Sequence, residues 1–177
     1  MRMKLGAWCL ALGGWCLVAG CATDYGWRSS VPAEMRTVSV PTFRNESNVA
    51  ELGSIATRQL LREIQREGTF GVRDAGEAAL EVQGVVKRAT SGMQGYDRRT
   101  NMQMASRKLT VKAEVSVIDK RARKVLVDNR VYTAEAFFTS GQDLTTAERD
   151  ASGRVAEDLA RQVVDDLLKM DFGGKSK

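Results

Sequence analysis

Histidine is absent from the 177 residues, and that gap closes most routes to catalysis. Without an imidazole there is no Ser-His-Asp or Cys-His arrangement, no His-containing metal site, and no side chain that ordinarily titrates near neutrality. Acid–base work would fall to carboxylates alone, and no paired-carboxylate motif stands out. The chain therefore reads as a non-enzyme, with neither cofactor nor metal. Cysteine is nearly as scarce. Cys9, Cys16 and Cys21 all precede residue 22, so nothing downstream offers a disulfide, and stability has to come from an apolar core. Proline occurs only at Pro32 and Pro41. No apolar run reaches the roughly 20 residues that a membrane-spanning helix needs.

What is present begins with a targeting segment. Arg2 and Lys4 precede an apolar stretch from Leu5 to Ala19, followed by Leu17-Val18-Ala19-Gly20-Cys21. Basic start, short apolar run and small residues before a cysteine describe a secretory signal peptide of the lipoprotein type over residues 1–20. Cleavage before Cys21 makes that residue the lipid anchor, and acyl chains hold the rest to a membrane without a spanning helix. Of the formal net charge of +5, Arg2 and Lys4 leave with the signal peptide, so the mature chain keeps +3. An anionic partner suits that excess, whereas nucleic acid does not suit an exported, tethered chain.

Removing residues 1–20 leaves 157 of the 177, enough for one domain. Residues 21–36 read as a tether punctuated by Gly26, Ser29, Ser30 and Pro32. Val38, Val40 and Phe43 mark a first strand over 37–43, with Pro41 at an end or edge. Asn48 and Glu51 have the spacing of a helix cap. A helix follows to Glu67, carrying Leu52, Ile55, Ala56, Leu60 and Ile64 on one face, with Gly68 after it. Leu80 to Val86 alternate as a second strand, and Leu109 to Val117 as the clearest one. A fourth runs from Val125 to Phe138, with Val125, Val127 and Val131 inward and then a change of phase to Tyr132, Ala134, Ala136 and Phe138, as a bulge would produce. Thr145 to Glu148 fit a capping box ahead of a last helix ending near Met170, and residues 171–177 form a flexible tail. The order β-α-β-β-β-α predicts an α+β fold over residues 37–170. This is a two-layer sandwich in which a four-stranded mixed sheet carries two helices on one face.

Two loops concentrate candidate binding residues. Ser91 to Asn101 contains two glycines, Tyr96 and the pair Arg98 and Arg99. The connection Asp119 to Lys124 carries Lys120, Arg121, Arg123 and Lys124. The segment Thr139 to Thr146 has no Lys or Arg. The polar face of the third strand, with Lys108, Thr110, Lys112 and Glu114, meets water or a polar partner.

The lipobox, the aromatic tether Tyr25-Gly26-Trp27 and the run Val40-Pro41-Thr42-Phe43-Arg44-Asn45-Glu46-Ser47 together resemble the lipopolysaccharide-assembly lipoprotein family LptE across nearly the whole mature chain. Ala22-Thr23-Asp24 depart from the family by separating the cysteine from the aromatic. A bare Phe-x-Asn-x-Ser run also occurs in lipoproteins that activate peptidoglycan synthases, which supplies the competing reading; a carboxylate hydrolase is a weaker third. The resemblance implies an outer-membrane lipoprotein on the periplasmic side. It would plug and help assemble a large β-barrel, an LptD-like partner, within whose lumen it sits, and contact lipopolysaccharide in transit. Arg98, Arg99, Lys120, Arg121, Arg123 and Lys124 would then donate charge-assisted hydrogen bonds to lipid phosphates and carboxylates. Mass spectrometry of the mature N-terminus is expected to find an acylated Cys21, and Cys21→Ala to release the chain from the membrane fraction; an unmodified Cys21 contradicts the anchor.

Overall fold

The computed structural model describes residues 31–96, 105–140 and 143–172. A single 3-10 turn, Ala33–Met35, precedes the strands β1 (Thr37–Ser39) and β2 (Arg44–Asn45). Helix α1 (Leu52–Glu67) and strand β3 (Gly71–Val72) come next, then the long strands β4 (Leu80–Tyr96), β5 (Ala105–Asp119) and β6 (Lys124–Ser140), and finally α2 (Leu144–Lys169). The two-layer α+β arrangement matches the sequence reading, but the sheet among the described residues has six strands, not four. Its order is β3-β1-β4-β5-β6, with β2 also on β4. Two local causes account for the difference. The expected strand 37–43 ends at Ser39, short of Pro41, and a separate β2 forms just beyond its expected end; β1 and β2 lie in tandem along β4 at Leu80–Glu81 and Val85–Val86. Gly71–Val72 then adds to the far side of β1, in parallel. As expected of a crossover, β1 and β4 are parallel, and the two long hairpins are antiparallel.

The helices cover one face. Leu52, Ala56, Leu60 and Ile64 bury one stripe of α1, and Val155, Leu159, Val163 and Leu167 a stripe of α2, against Val82, Val86, Leu109, Val111, Val115 and Val117 of the sheet. Each fully buried Leu, Val or Ile contributes about 1.5–3 kcal/mol of transfer free energy. Alanines at 113, 134, 136, 156 and 160 are also buried, and their small size lets the layers approach. Gly68, at φ 83°, ends α1 in the left-handed conformation, with its N–H bonded to Ile64 O at 3.1 Å. Val31 is 1% exposed and belongs to the same core, so the chain just ahead of β1 packs on the domain; Arg36 Nε donates to Val31 O at 3.1 Å.

Helix starts and strand phases depart from the reading. Neither Asn48 nor the Thr145 box caps a helix. α1 begins after Glu51, which adopts a left-handed φ of 60°, and α2 is capped by Asp143, whose carboxylate accepts the Thr146 N–H at 3.1 Å. The expected loop from Ser91 is strand through Tyr96, because an irregularity at Lys87 moves the inward positions of β4 from Val82 and Val86 to Ala89 and lets pairing continue. In β6, a two-for-one mismatch sets Asp128 and Asn129 against Ser116. Asn129 takes φ 43°, and its N–H donates to Ser116 Oγ at 2.9 Å. Beyond the bulge Tyr132, Ala134, Ala136 and Phe138 point inward as expected, whereas Val125 and Val131 do not: they are 50% and 59% exposed. The outer edge of β6 is closed by α2, whose Arg154 donates to Phe137 O at 2.8 Å and Gln162 to Thr133 O at 3.2 Å, which blunts an edge open to pairing with other chains.

One side chain ties these parts together. Phe43, between β1 and β2, presses its ring on Gly84 of β4, where an added Cβ would lie 2.2 Å from the ring. Its carbonyl oxygen sits where a Cβ on Gly53 of α1 would be 2.3 Å away. Overpacking of this kind costs about 1–3 kcal/mol. Gly84→Ala is therefore expected to lower the urea unfolding midpoint by that equivalent, while Gly92→Ala, with nothing within 4 Å, changes it by less than about 0.5 kcal/mol. Equal effects at both sites would remove the Phe43 contact from the account.

Candidate anion-binding surfaces

The most specific sequence run turns out to be architectural. Asn45 Nδ2 donates to Val49 O at 2.8 Å, and Asn45 Oδ1 accepts both the Ser47 N–H at 3.0 Å and the Ser47 hydroxyl at 2.7 Å, an Asx-type turn. Glu46 N–H pairs with Val86 O at 2.9 Å, and its carboxylate bonds Lys87 at 2.6 Å and Arg44 at 2.8 Å. Phe43 N–H donates to Thr57 Oγ1 at 2.9 Å, whose hydroxyl donates to Gly53 O at 2.9 Å. From Phe43 to Ser47, the polar atoms named here are spent on holding the turn.

The connection between β5 and β6 keeps cations at the surface but does not leave all of them free. Buried Asp119 accepts the N–H groups of Arg121 and Ala122 at 2.9 and 3.0 Å and so shapes the turn. Lys120 bonds Ala75 O and stands 3.4 Å from Glu81. Arg121 reaches Glu34 at 3.9 Å, a long exposed contact of little strength. Arg123, at φ 51°, and Lys124 are exposed and have no carboxylate partner among the described residues. Arg98, Arg99 and Cys21 lie outside the described residues. Tyr96 and Ala105, which bracket the arginine pair, are at the opposite end of β5 from Asp119, roughly 45 Å along the strand at its usual rise. The residues that flank the arginine pair and the β5–β6 turn therefore lie at opposite ends of β5.

The face of the sheet away from the helices is polar. On it Lys108 Nζ bonds both oxygens of Glu135 at 3.1 Å, and the Thr110 hydroxyl donates to the same carboxylate at 3.1 Å. Those two bonds, Lys108 first, hold the Glu135 carboxyl below its ordinary range. Arg88 lies directly opposite Lys112, which faces Thr133 on β6. Phe137 stands on this face 59% exposed. Sequence reasoning named Lys108, Thr110, Lys112 and Glu114 here but missed Arg88, which comes to the same face only through the irregularity at Lys87. It also missed Arg107, whose Nε is buried without a hydrogen-bond partner among the described residues.

Elsewhere the perturbed groups serve structure. Burial, then the hydrogen bond to Asp166 at 2.9 Å, pushes the Tyr132 hydroxyl well above its ordinary range; Arg130 completes the cluster at 3.2 Å from Asp166. This contact fastens α2 to β6. No group of three or more Cys, Asp or Glu among the described residues is arranged to hold a metal ion.

Residues 35–167 match the family model described as lipopolysaccharide-assembly, LptE. No curated protein matches the sequence. Among solved structures, a hypothetical protein from Chlamydia trachomatis is similar at 12% identity and TM-score 0.51, over 78% of this chain and 98% of that one. That likeness shows the fold alone. A minor lipoprotein from Acinetobacter baumannii aligns at 15% identity and TM-score 0.46, over 76% and 94%. A lipoprotein from Caulobacter crescentus aligns at 14% and 0.46, over 72% and 89%.

The titration pattern is testable on the whole fold. Glu46 is lowered chiefly by its Lys87 bond, Glu135 by Lys108 and Asp143 by Thr146. A depressed folded-state value means stability that is present above the ordinary 4.5 or 3.8 and lost as pH falls through the folded value. Tyr132 has the opposite sign: raised above 10.0, it stabilises below that pH and gives way as pH climbs past it. With no histidine in the chain, melting temperature is expected to be flat from about pH 6 to 8 and to fall on both the acid and the alkaline side. A thermal melt series showing a step near pH 6.5 would contradict this.

Proposed function

Because the chain belongs to the LptE family of lipopolysaccharide-assembly lipoproteins, we propose that it works as a fitted, non-catalytic component of an outer-membrane β-barrel translocon, held to the membrane through Cys21. The family match over residues 35–167 carries the reading. The shape of the domain supports it. One face of the sheet is closed by helices around a dry core, and the other, among the described residues, is mainly polar and charged, with apolar side chains such as Phe137 and Val131 between them. Such a face suits a water-lined barrel lumen, where a rigid plug needs hydrogen-bonding complementarity more than apolar area. No described helix is long and apolar enough to cross a membrane, so attachment through acyl chains fits.

Contact with lipopolysaccharide follows from the same reading. Arg123 and Lys124 at the β5–β6 turn, joined by Lys120 and Arg121 once their weak surface partners release them, and Arg98 and Arg99 between β4 and β5, have the chemistry to bind phosphates. The two groups would meet the lipid at different points, since the sheet separates their flanking residues.

Detergent extraction of the tagged full chain is expected to bring down a large β-barrel protein. Recovery of an inner-membrane peptidoglycan synthase in its place would overturn this assignment and favour the regulatory alternative. Arg98→Glu with Arg99→Glu is expected to weaken binding to purified lipopolysaccharide by about tenfold; unchanged affinity takes that pair out of the contact.

A further inference from the structure

The open face of the sheet pairs its lysines systematically. Lys87 has Glu46 at 2.6 Å, Lys108 has Glu135 at 3.1 Å, and Lys120 has Glu81 at 3.4 Å. Arg88 and Lys112 break the pattern. They are direct cross-strand partners on β4 and β5, both are exposed, and neither has an ion pair or side-chain hydrogen bond among the described residues. Like charges directly opposite one another destabilise a strand pair, so this placement works against the sheet unless something anionic lies between them.

The surroundings are arranged to receive such a group. Lys112 faces Thr133 on β6, so one row across three strands reads Arg88, Lys112, Thr133: two cations and a hydroxyl, with no carboxylate. The neighbouring row holds Thr90, Thr110 and Glu135, and Glu135 is already occupied by Lys108 and Thr110. Glu114, one step away on the same face of β5, is half-buried and makes no ion pair with Arg88 or Lys112 among the described residues; Lys87 is held chiefly by Glu46. A guanidinium and an ammonium side by side, with a hydroxyl next to them, match the several oxygens of a phosphate group, for which charged donors make the short, strong bonds.

We propose that Arg88, Lys112 and Thr133 form an oxyanion-binding row on the open face of the sheet that takes a phosphate group. The row rests on the register alone; only the choice of a lipid as the phosphate's source rests on the function proposed above. A lipid headgroup and free phosphate share this chemistry, and the experiment separates them.

The purified full chain in detergent is titrated with lipid A, with phosphatidylglycerol and with inorganic phosphate, and both affinity and the ligand-induced rise in melting temperature are followed. Arg88→Gln with Lys112→Gln is compared with Arg58→Gln with Arg62→Gln, which removes the same charge from exposed positions of α1. The first pair is expected to lose about tenfold in affinity for a phosphate-bearing ligand and most of the thermal shift, and, freed of like-charge repulsion, to melt no lower than the parent without ligand. Control and parent are expected to behave alike. Three results would overturn the row: parental binding of all three ligands by the first pair, an equal loss in the control, or a first pair that melts well below the parent, which makes the residues structural. Binding of inorganic phosphate or phosphatidylglycerol through the row, with no binding of lipid A, upholds the row and counts against lipopolysaccharide handling. In the first of the three cases, lipid A still binds, so the row falls and that function stands.

Discussion

The fold depends on how closely two glycine backbones approach Phe43, one at its ring and one at its carbonyl oxygen. Phe43 enters the core from the link between two very short strands, and its ring lies on a glycine of the long strand β4 while its carbonyl abuts a glycine of α1. A two-residue strand such as β2 has too few ladder bonds to hold a position alone. The wedge supplies what the ladder lacks, and Thr57, bridging Phe43 N–H to Gly53 O, fixes it from the helix side. Break that contact and β1, β2 and α1 lose their common reference, although β4, β5 and β6 would still pair. The run Val40 to Ser47, the most distinctive in the sequence, is thus distinctive because it builds the joint between the small and the large half of the sheet.

The large half is a three-stranded ribbon covered on one side only. Antiparallel sheets tolerate that because alternation gives each strand a dry face and a wet one. The ribbon's outer edge at β6 is capped by Arg154 and Gln162 from α2, and its inner edge at β4 is taken by β1 and β2. What remains open among the described residues is the polar face itself and the β5–β6 turn. A domain closed in this way presents a partner with a rigid surface of fixed side chains and little free backbone, which favours recognition by side-chain complementarity over strand addition.

The legible features were those set by period and punctuation. The stripe Leu52, Ala56, Leu60, Ile64, the stop at Gly68 and the alternation from Leu109 to Val117 needed only the spacing of apolar residues. Small local breaks escaped the reading. Proline at 41 could be seen, but the early end of β1 at Ser39 and the return of the chain to β4 at Arg44 and Asn45 depend on β4 continuing beneath both. The extension of β4 through Ser91 to Tyr96 was hidden by glycines at 92 and 95, which read as a loop until a partner strand pairs with them. The phase change in β6 was visible as a change of inward residues, but its location at Asp128 and Asn129 required the register with Ser116. Arg88 stayed out of sight for the same reason: one extra residue at Lys87 turns it to the open face, and no window of sequence shows which face that is.

Between about pH 6 and 8 no histidine switches the charge of the open face. Attraction to an anion on this face is therefore governed by ionic strength and by the exclusion of water. In bulk solvent at physiological salt, a charge acts over about 8 Å, less than the roughly 23 Å of strand between Lys112 and Asp119 at the usual rise. The turn cations near Arg123 and the row at Arg88 and Lys112 act independently there. Enclosed by a partner that displaces water and counterions, the same side chains feel one another and their ligand more strongly, because screening weakens as the effective dielectric falls. A rigid sheet that spreads its cations in this way needs no conformational change for its attraction to an anion to rise when water is excluded.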